Sequence, residues 1–318
     1  MKNSIFGKGI LFLAALLLAM PMTAMAQDKI RALIIDGQNG HNWRATTPVL
    51  KWILEDSGRF TVDVATAPER PSNRLRDENR EAYDAAMEVY RATMAAFRPD
   101  FSKYDVIVMN YTGDHWPQET RDAFEQFVAG GGGLVIYHAA NNSFADWPEF
   151  NLMIGVGGWG GRNEQSGPHF FWQDGQAVRV YGPGPSGHHG PQWEFLVEAR
   201  APDHPIMKGL PLAFRQSRDE LYDFLRGPAQ NITILATAYA DRAQGGSGRH
   251  EPQLMVIDYG QGRVFHHCFG HDENSAQSVA FIITFLRGTE WAATGEVTIP
   301  VPDDMPCADR PVMRRMPN

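Results

Sequence analysis

The first half of the chain alternates between short apolar runs and amphipathic segments. Apolar runs over 29–36, 60–65, 104–111 and 134–137 are rich in β-branched residues and predict four strands. Apolar positions at three-to-four spacing predict helices over 43–57, 77–97 and 117–129. Strands and helices in alternation, with short connections, indicate right-handed crossovers and an open, mostly parallel (flavodoxin-like) sheet flanked by helices.

The second half has a different pattern and predicts antiparallel additions to that sheet. Residues 154–190 are rich in Gly, Pro and aromatic side chains, which indicates either a long functional loop or a small antiparallel insert. Further predicted elements are strands over 232–236, 253–259 and 263–268, a hairpin turn at 260–262, a closing helix over 275–286 and an extended tail over 294–318. The class is therefore α/β, with one domain over 27–292 and a Pro-rich tail over 293–318.

The first 26 residues have the pattern of a cleavable secretory signal peptide. Lys2 and Lys8 precede an apolar run over 10–20, and the motif Ala-Met-Ala at 24–26 suits signal peptidase. A membrane anchor is the alternative, but spanning a bilayer takes about 20 apolar residues. We therefore expect cleavage between Ala26 and Gln27, and a periplasmic or secreted protein that is not inserted in the membrane.

Composition narrows the classes of partner. The net charge is −8 and no long Lys/Arg cluster occurs, which argues against nucleic acid or an anionic membrane as partner. The abundant Trp and Tyr suit a surface that binds carbohydrate, and suit core packing equally. Cys268 and Cys307 could pair in an oxidising compartment and tie the tail to the domain; two cysteines leave this open.

Histidines and amides follow three of the predicted strands. His41 comes after the first strand; Asn110, Tyr111 and His115 come after the third; His138 and Asn141 come after the fourth. Ligands of open parallel sheets bind beyond the carboxyl ends of the strands, so these side chains should share one edge. A single loop histidine more often caps or is solvated, but three at one edge favour a functional site. His115 is the weakest candidate because it lies furthest from its strand.

A Gly-rich turn precedes the fourth strand in the run GGGGLVIYHAA, and His138 follows that strand at a predicted tight bend. Class I glutamine amidotransferase-like folds carry a nucleophilic cysteine on an elbow at this place. Neither cysteine of this chain lies near an elbow, and nucleophilic catalysis of that type needs the thiolate. A thiol-dependent amidotransferase is therefore excluded.

The second half adds Glu220 in the tetrad DELY and His271 after a strand and a glycine. A His/Glu set from separate loops could bind Zn²⁺, or act without metal as acid and base. No HExxH or CxxC motif is present. His266 and His267 point to opposite faces of their strand, so at least one should be core or surface. The pair His188-His189 lies in a Gly/Pro loop and is interpreted as a mobile rim.

Together these motifs resemble the ThuA-like (trehalose-utilisation) family, whose fold is class I glutamine amidotransferase-like. The matching segments are the first strand with His41, GGGGLVIYHAA, DHPIMKGLP, DELY and YGQGRVFHHCFGHD, spread over 29–291. The resemblance implies sugar metabolism on glycosides or their 3-keto forms, and a divalent metal in some members. It also implies that His138, Glu220 and His271 are the family-pattern residues, with His41 and His204 behind them. The chain departs from the family by an insertion over 182–192 and by the long 77–97 helix.

The sequence thus leads to two hypotheses. The first is an exported carbohydrate enzyme, a hydrolase, lyase or isomerase, with His41, His138, Glu220 and His271 as acid/base catalysts. No cofactor is certain; if a metal such as Zn²⁺ is bound, its ligands would be His138, Glu220 and His271. The second is a non-catalytic sugar-binding or scaffold protein, marked by an open aromatic groove around Trp159 or Trp172. The predicted contacts to a small-molecule carbohydrate are Asn110, Tyr111, Asn141, Trp159, Tyr222 and His204.

Overall fold

A computed structural model describes residue 1 and residues 28–317. Apart from residue 1, the predicted signal peptide and its cleavage site lie outside these residues. In the part of the chain that is described, no helix is both long enough and apolar enough to cross a membrane.

The described residues form six α-helices and thirteen strands. The helices are α1 (Trp43–Asp56), α2 (Asn73–Glu78), α3 (Arg80–Ala95), α4 (Gln118–Ala129), α5 (Pro148–Ile154) and α6 (Val279–Thr294). The strands of the first half are β1 (Ile30–Asp36), β2 (Phe60–Thr66), β3 (Val106–Met109) and β4 (Gly133–Tyr137). The later strands are β5 (His169–Gln173), β6 (Gln176–Val180), β7 (His188–His189), β8 (Trp193–Ala199), β9 (Ala213–Asp219), β10 (Tyr222–Asp223), β11 (Ile232–Tyr239), β12 (His250–Tyr259) and β13 (Gly262–His267).

One mixed sheet organises the domain, with strand order β2-β1-β3-β4-β13-β12-β11-β8-β9. The five strands from β2 to β13 pair in parallel, and the strands beyond β13 pair antiparallel. The α/β class with a parallel first half and antiparallel additions is therefore confirmed. The predicted turn after Tyr259 is also confirmed, because Tyr259 pairs with Gly262 and closes a two-residue hairpin.

Some element boundaries differ from the prediction for local reasons. The single helix predicted over 77–97 is two helices, because Asn79 has extended backbone and its side chain caps α3 by accepting from Ala82 N at 3.0 Å. The closing helix begins only after Ser278, which caps it, and continues to Thr294. The aromatic segment of the second half contains the β5–β6 hairpin, so the antiparallel insert is the correct alternative.

Two hydrophobic clusters cover the two faces of the sheet, because the side chains of each strand alternate. On β1, Ala32 and Ile34 point into the cluster beneath α1 and α6, while Leu33 and Ile35 point into the cluster beneath α4 and α5. The tail is extended as predicted, and it packs on the first of these faces.

The cysteines do not form the bridge that the sequence left open. Both are free thiols: Cys268 is buried in the second cluster, and Cys307 is exposed in the tail on the opposite face of the sheet. Burial raises the pKa of the Cys268 thiol well above its ordinary value. The pairing hypothesis is wrong because the sheet lies between the two side chains.

Thiol accessibility checks this arrangement. A thiol reagent should modify Cys307 rapidly in the folded protein and Cys268 only after denaturation, because modification needs an exposed thiolate. The measurement is a colorimetric thiol titration of non-reduced protein in buffer and in guanidinium chloride, with Cys307→Ser as control. Two slow thiols in buffer, or none after denaturation, would contradict the structure.

Candidate functional site

Four side chains from four loops converge at the carboxyl-end edge of the parallel strands. His41, His138, Glu220 and His271 each offer one ligand atom, and these atoms lie within 4.8 Å of one another. His41 follows β1, His138 follows β4, His271 follows β13, and Glu220 follows β9. The structure thus brings together the four residues that the sequence analysis assigned to catalysis.

His138 is fixed in a strained bend at the end of β4. Its backbone has φ +43°, a left-handed value that is costly for a residue other than glycine. The ring is buried, its Nδ1 lies 2.6 Å from the carbonyl oxygen of Cys268, and its face packs on Tyr222 at 4.3 Å between centroids. A carbonyl only accepts, so Nδ1 carries the proton and the lone pair of Nε2 points towards Glu220.

His41 is positioned in the same manner by two amides. Its Nδ1 lies 3.3 Å from Asn39 Oδ1, and that oxygen also accepts from the His41 backbone N–H. The Asn39 amide donates to Asn110 Oδ1 at 3.0 Å, and Asn110 in turn donates to two threonines of α1. The His41 Nε2 lone pair is thereby directed at Glu220, 3.7 Å away.

Asp219 fixes the backbone positions of Glu220 and His271, the other two members of the cluster. This buried carboxylate accepts the backbone N–H groups of Glu220 at 2.8 Å, Gly270 at 2.7 Å and His271 at 3.0 Å. Gln216 donates a further side-chain hydrogen bond. Gly270 has φ +103°, and a Cβ there would lie 2.5 Å from Phe281, so this tight turn requires glycine.

The nitrogen and oxygen atoms of the cluster face one another without forming hydrogen bonds. Glu220 Oε2 lies 3.0 Å from His271 Nδ1, 3.5 Å from His138 Nε2 and 3.7 Å from His41 Nε2. The first three of these atoms are buried and lack a hydrogen-bond partner. Lone pairs that face each other at such distances repel unless a proton or a metal ion lies between them.

A tetrahedral Zn²⁺ site fits these residues. Two ligand atoms at about 2.0–2.1 Å from Zn²⁺ stand roughly 3.4 Å apart. The distances from Glu220 Oε2 to the three histidines are close to this value, and the ligand atoms as a whole lie within 4.8 Å of one another. The three imidazole rings are nearly perpendicular in pairs, at 75°, 87° and 85°. Two of them donate the remaining ring N–H to an oxygen acceptor, the arrangement that orients histidine ligands of metals. The donor set is therefore three histidines and one glutamate, and it includes His41 beyond the three ligands suggested by the sequence.

Burial and mutual contact shift the ionisation of the cluster in opposite directions. Burial lowers the pKa of His138 to about 4, so this ring is neutral near pH 7. Burial alone would raise the pKa of Glu220, but contacts with His138, His271 and His41 outweigh it and hold the pKa far below its usual range. Burial opposes protonation of His271 also, yet the Glu220 carboxylate raises its pKa. A divalent cation binds the neutral form of each imidazole beside the charged carboxylate, so its binding displaces any proton held by His271.

His189 is a member of the site that the sequence analysis missed. Its Nε2 lies 3.6 Å from Glu220 Oε1, and 37% of its side chain is exposed, more than for the four clustered residues. Pairing of β7 with β10, in which His189 faces Tyr222, brings the inserted loop to the cluster. The interpretation of His188-His189 as a mobile rim did not count His189 among the residues of the site. The insertion over 182–192 was the feature of the sequence that could have pointed to His189 as a residue of the site.

Trp159 lies beside the cluster and packs on Tyr222, which is buried and so does not offer the ligand contact predicted for it. Their rings are 4.8 Å apart, and Tyr222 also packs on His138. Trp159 is partly exposed and lies 5.9 Å from the ring of His189. An aromatic face next to polar groups suits the apolar face of a sugar ring. Trp172, the other candidate, instead lies against the guanidinium of Arg200.

The remaining predicted contacts lie behind the site or away from it. Asn110 is buried in the network that orients His41, and Tyr111 is buried with its hydroxyl donating to Asp114 O. Asn141 is buried against His266, whose ring it contacts at 3.0 Å. These three side chains are too enclosed to contact a ligand directly.

His204 lies at the opposite edge of the sheet. Its ring packs on Trp291, at the end of α6 that contacts the start of β4. The structure therefore does not bring His204 to the cluster, because the segment DHPIMKGLP covers the amino ends of the strands. His115 also lies apart, paired with Asp146 at the surface.

Both adjacent histidines of β13 belong to the core. His266 Nδ1 contacts the carbonyl of Ile154 at 2.9 Å on one face, and His267 Nε2 contacts Thr284 Oγ1 at 2.9 Å on the other. Burial lowers their pKa values to about 4 and about 3. The expectation that at least one of the pair is not part of a site is confirmed.

Comparisons with known proteins place this chain in a family. None of the curated proteins matches the sequence. Among solved structures, a ThuA-like protein from Parabacteroides merdae is similar, with 46% identity and a TM-score of 0.82 over 90% of this chain and 98% of that one. A ThuA-like protein from Bacteroides uniformis shares the fold at 18% identity and a TM-score of 0.51, over 87% of this chain and 98% of that one. The model of the ThuA family, described as trehalose utilisation, matches residues 31–292, and the chain belongs to this family.

Proposed function

We propose that this protein is an exported, metal-dependent enzyme that acts on glycosides or 3-keto-glycosides. The observation that carries the proposal is the convergence of His41, His138, Glu220 and His271 with unpaired lone pairs around one point. Family membership supports a carbohydrate-related function. The signal-peptide pattern over 1–26 supports export.

The four clustered residues would hold the cation, and their supports determine its position. When bound, a divalent cation such as Zn²⁺ supplies Lewis-acid polarisation of a sugar carbonyl or hydroxyl oxygen. Asn39 and the Cys268 carbonyl fix the protonated nitrogens of His41 and His138, so both rings present Nε2. Asp219 fixes the backbone of Glu220 and His271.

His189 is the best-placed proton carrier of the site. Its Nδ1 donates to the Gly190 carbonyl at 2.8 Å, which leaves Nε2 free to accept or return a proton beside Glu220. An imidazole with one ring nitrogen free can accept and return a proton, so it suits both roles in turn. Proton abstraction next to a sugar carbonyl, or protonation of a leaving oxygen, would fit this position, with Trp159 orienting the sugar ring. Identification of the product will show whether the overall reaction is hydrolysis, elimination or isomerisation.

Metal analysis combined with a substrate screen tests the proposal. Purified protein should contain about one divalent cation per chain after reconstitution with Zn²⁺ and removal of excess metal. It should turn over a member of a panel of glycosides and 3-keto-glycosides, and a chelator should abolish that turnover. Absence of both stoichiometric metal and turnover would refute the proposal. Sugar binding without turnover, unchanged by chelation, would favour the non-catalytic sugar-binding alternative.

A further inference from the structure

A cavity lies directly beside the cluster, on the other side of the two-residue strand β7. His189 contacts Glu220 on one side, and its neighbour His188 lines a cavity of about 510 Å³ on the other. This volume is within the range of about 300–1,000 Å³ that is typical of small-molecule sites. The function proposed above assigns no role to this cavity.

Two arginines give the cavity a positive charge. Arg242 and Arg249 both line it, and no Asp or Glu does. Among the ion pairs of residues 28–317, none includes either guanidinium. The protein carries a net charge of −8, so acidic side chains outnumber basic ones. Two arginines that share a cavity and have no carboxylate partner there are therefore unexpected unless the cavity binds an anion.

Both guanidinium groups are held in place by their surroundings. Arg249 lies 4.4 Å above the ring of Phe171 and 5.4 Å from that of Phe224, and its Nη1 is buried without a hydrogen-bond partner. Arg242 passes over Gly248, where a Cβ would lie 2.3 Å from Arg242 Nε. Gly248 has φ +74°, which favours glycine, and the absence of a Cβ leaves room for the Arg242 side chain.

The nearest carboxylates are already engaged behind the cavity wall. Asp223 accepts from His188 Nδ1 at 2.8 Å and from the Ser247 backbone N–H at 2.7 Å. Glu251 accepts from Ser247 Oγ at 2.7 Å, and burial raises its pKa to about 7. Neither carboxylate forms a salt bridge with the two arginines, while Phe224, at the strained backbone value of φ +55°, supplies an apolar wall.

We propose that this cavity is an oxyanion-binding subsite, in which Arg242 and Arg249 bind a carboxylate or phosphate group of the substrate. The inference rests on the proposed function and narrows its substrate class to acidic carbohydrates. Guanidinium groups bind such oxyanions by charge-assisted and often bidentate hydrogen bonds. Phe224 contacts the carbon face of the sugar, and the reacting carbon then lies towards His189 and the cluster.

Calorimetric titration with three probes tests the subsite: methyl glucuronide, glucose 6-phosphate and methyl glucoside. We expect at least one acidic probe to bind about tenfold or more tightly than the neutral one, since charge-assisted hydrogen bonds are about twice as strong as neutral ones. The acid that binds more tightly identifies carboxylate or phosphate as the natural group. Arg242→Gln and Arg249→Gln should each weaken its binding by about tenfold and leave the neutral probe unchanged.

Two control variants separate this inference from the proposed function. Arg91→Gln, at an exposed position of α3, should bind like the wild type. Glu220→Gln should retain binding of the acidic probe even where metal and turnover are lost, because the subsite is built from other residues. Arg249 packs on two aromatic rings, so the exposed Arg242 carries the test if Arg249→Gln fails to fold. Equal binding of all three probes, or full acidic binding by Arg242→Gln, would overturn the subsite.

Discussion

Glu220→Gln is expected to remove the cation and to abolish turnover while the protein remains folded. The amide has nearly the shape of the carboxylate, but it loses the charge that faces His41, His138 and His271. Replacing supporting residues of metal ligands typically lowers metal affinity by about 10–100-fold, so loss of a ligand itself should cost at least about 100-fold. Loss of the site should lower the rate by about 10²–10⁴. Metal content by mass spectrometry and turnover of the substrate found in the screen measure both effects.

The matched control for this variant is Glu194→Gln, an exposed glutamate on β8 that does not contact the cluster. It should keep the metal content and the rate of the wild type. Thermal unfolding of Glu220→Gln should resemble that of the metal-free wild type, and thermal unfolding of Glu194→Gln should resemble that of the metal-loaded wild type. A Glu220→Gln protein with full metal occupancy and full turnover would remove the glutamate from the site.

Asp219→Ala is expected to cause the largest loss of stability of any single change at the site. The substitution leaves three buried backbone N–H groups, of Glu220, Gly270 and His271, without their acceptor. Each buried donor left unpaired costs about 1–3 kcal/mol, so we expect a loss of about 4 kcal/mol in the free energy of unfolding. For a domain of this size the midpoint of thermal unfolding should fall by about 10 °C.

The experiment is thermal unfolding of metal-free protein, which separates the scaffold effect from metal binding. Asp303→Ala, an exposed aspartate in the tail, should unfold at the wild-type temperature. Metal affinity should also fall in Asp219→Ala, because Glu220 and His271 lose their common support. An unchanged unfolding temperature would show that the backbone donors find other acceptors, and would exclude a positioning role for Asp219.

The strands of the first half could be predicted because their apolar character is local and nearly continuous. Sequence pattern located β1, β2, β3 and β4 within a few residues, and with them the loops of His41 and His138. It missed β8 and β9 at the antiparallel edge. Strand β9 has the sequence AFRQSRD, whose two apolar residues are too few to give a strand pattern among the polar and charged ones. Its position depends instead on pairing with β8.

The sequence predicted the four clustered side chains of the candidate site, but it did not predict the residues that hold them in place. Strand ends and the family resemblance identified Glu220 and His271, but no local pattern shows that Asp219 accepts from the turn 51 residues later. His189 could not be placed either, because a loop reaches the cluster only through the pairing of β7 with β10. His138 is also more enclosed than a loop position suggests. His138→Ala would lose packing and the bond to the Cys268 carbonyl as well as the metal, so Glu220→Gln is the cleaner probe.

The position of β13 in the sheet has a consequence for how the chain reaches its native state. This strand lies between β4 and β12, although nearly 130 residues separate it from β4 along the chain. The parallel half of the sheet therefore lacks its fifth strand until the last sixth of the chain is available, and until then β4 presents an unpaired edge. Pairing of such high contact order is slow, because loop closure must precede the contacts that stabilise it. The same late strand carries the chain to His271, so the cluster of His41, His138, Glu220 and His271 is completed only at the last stage of folding.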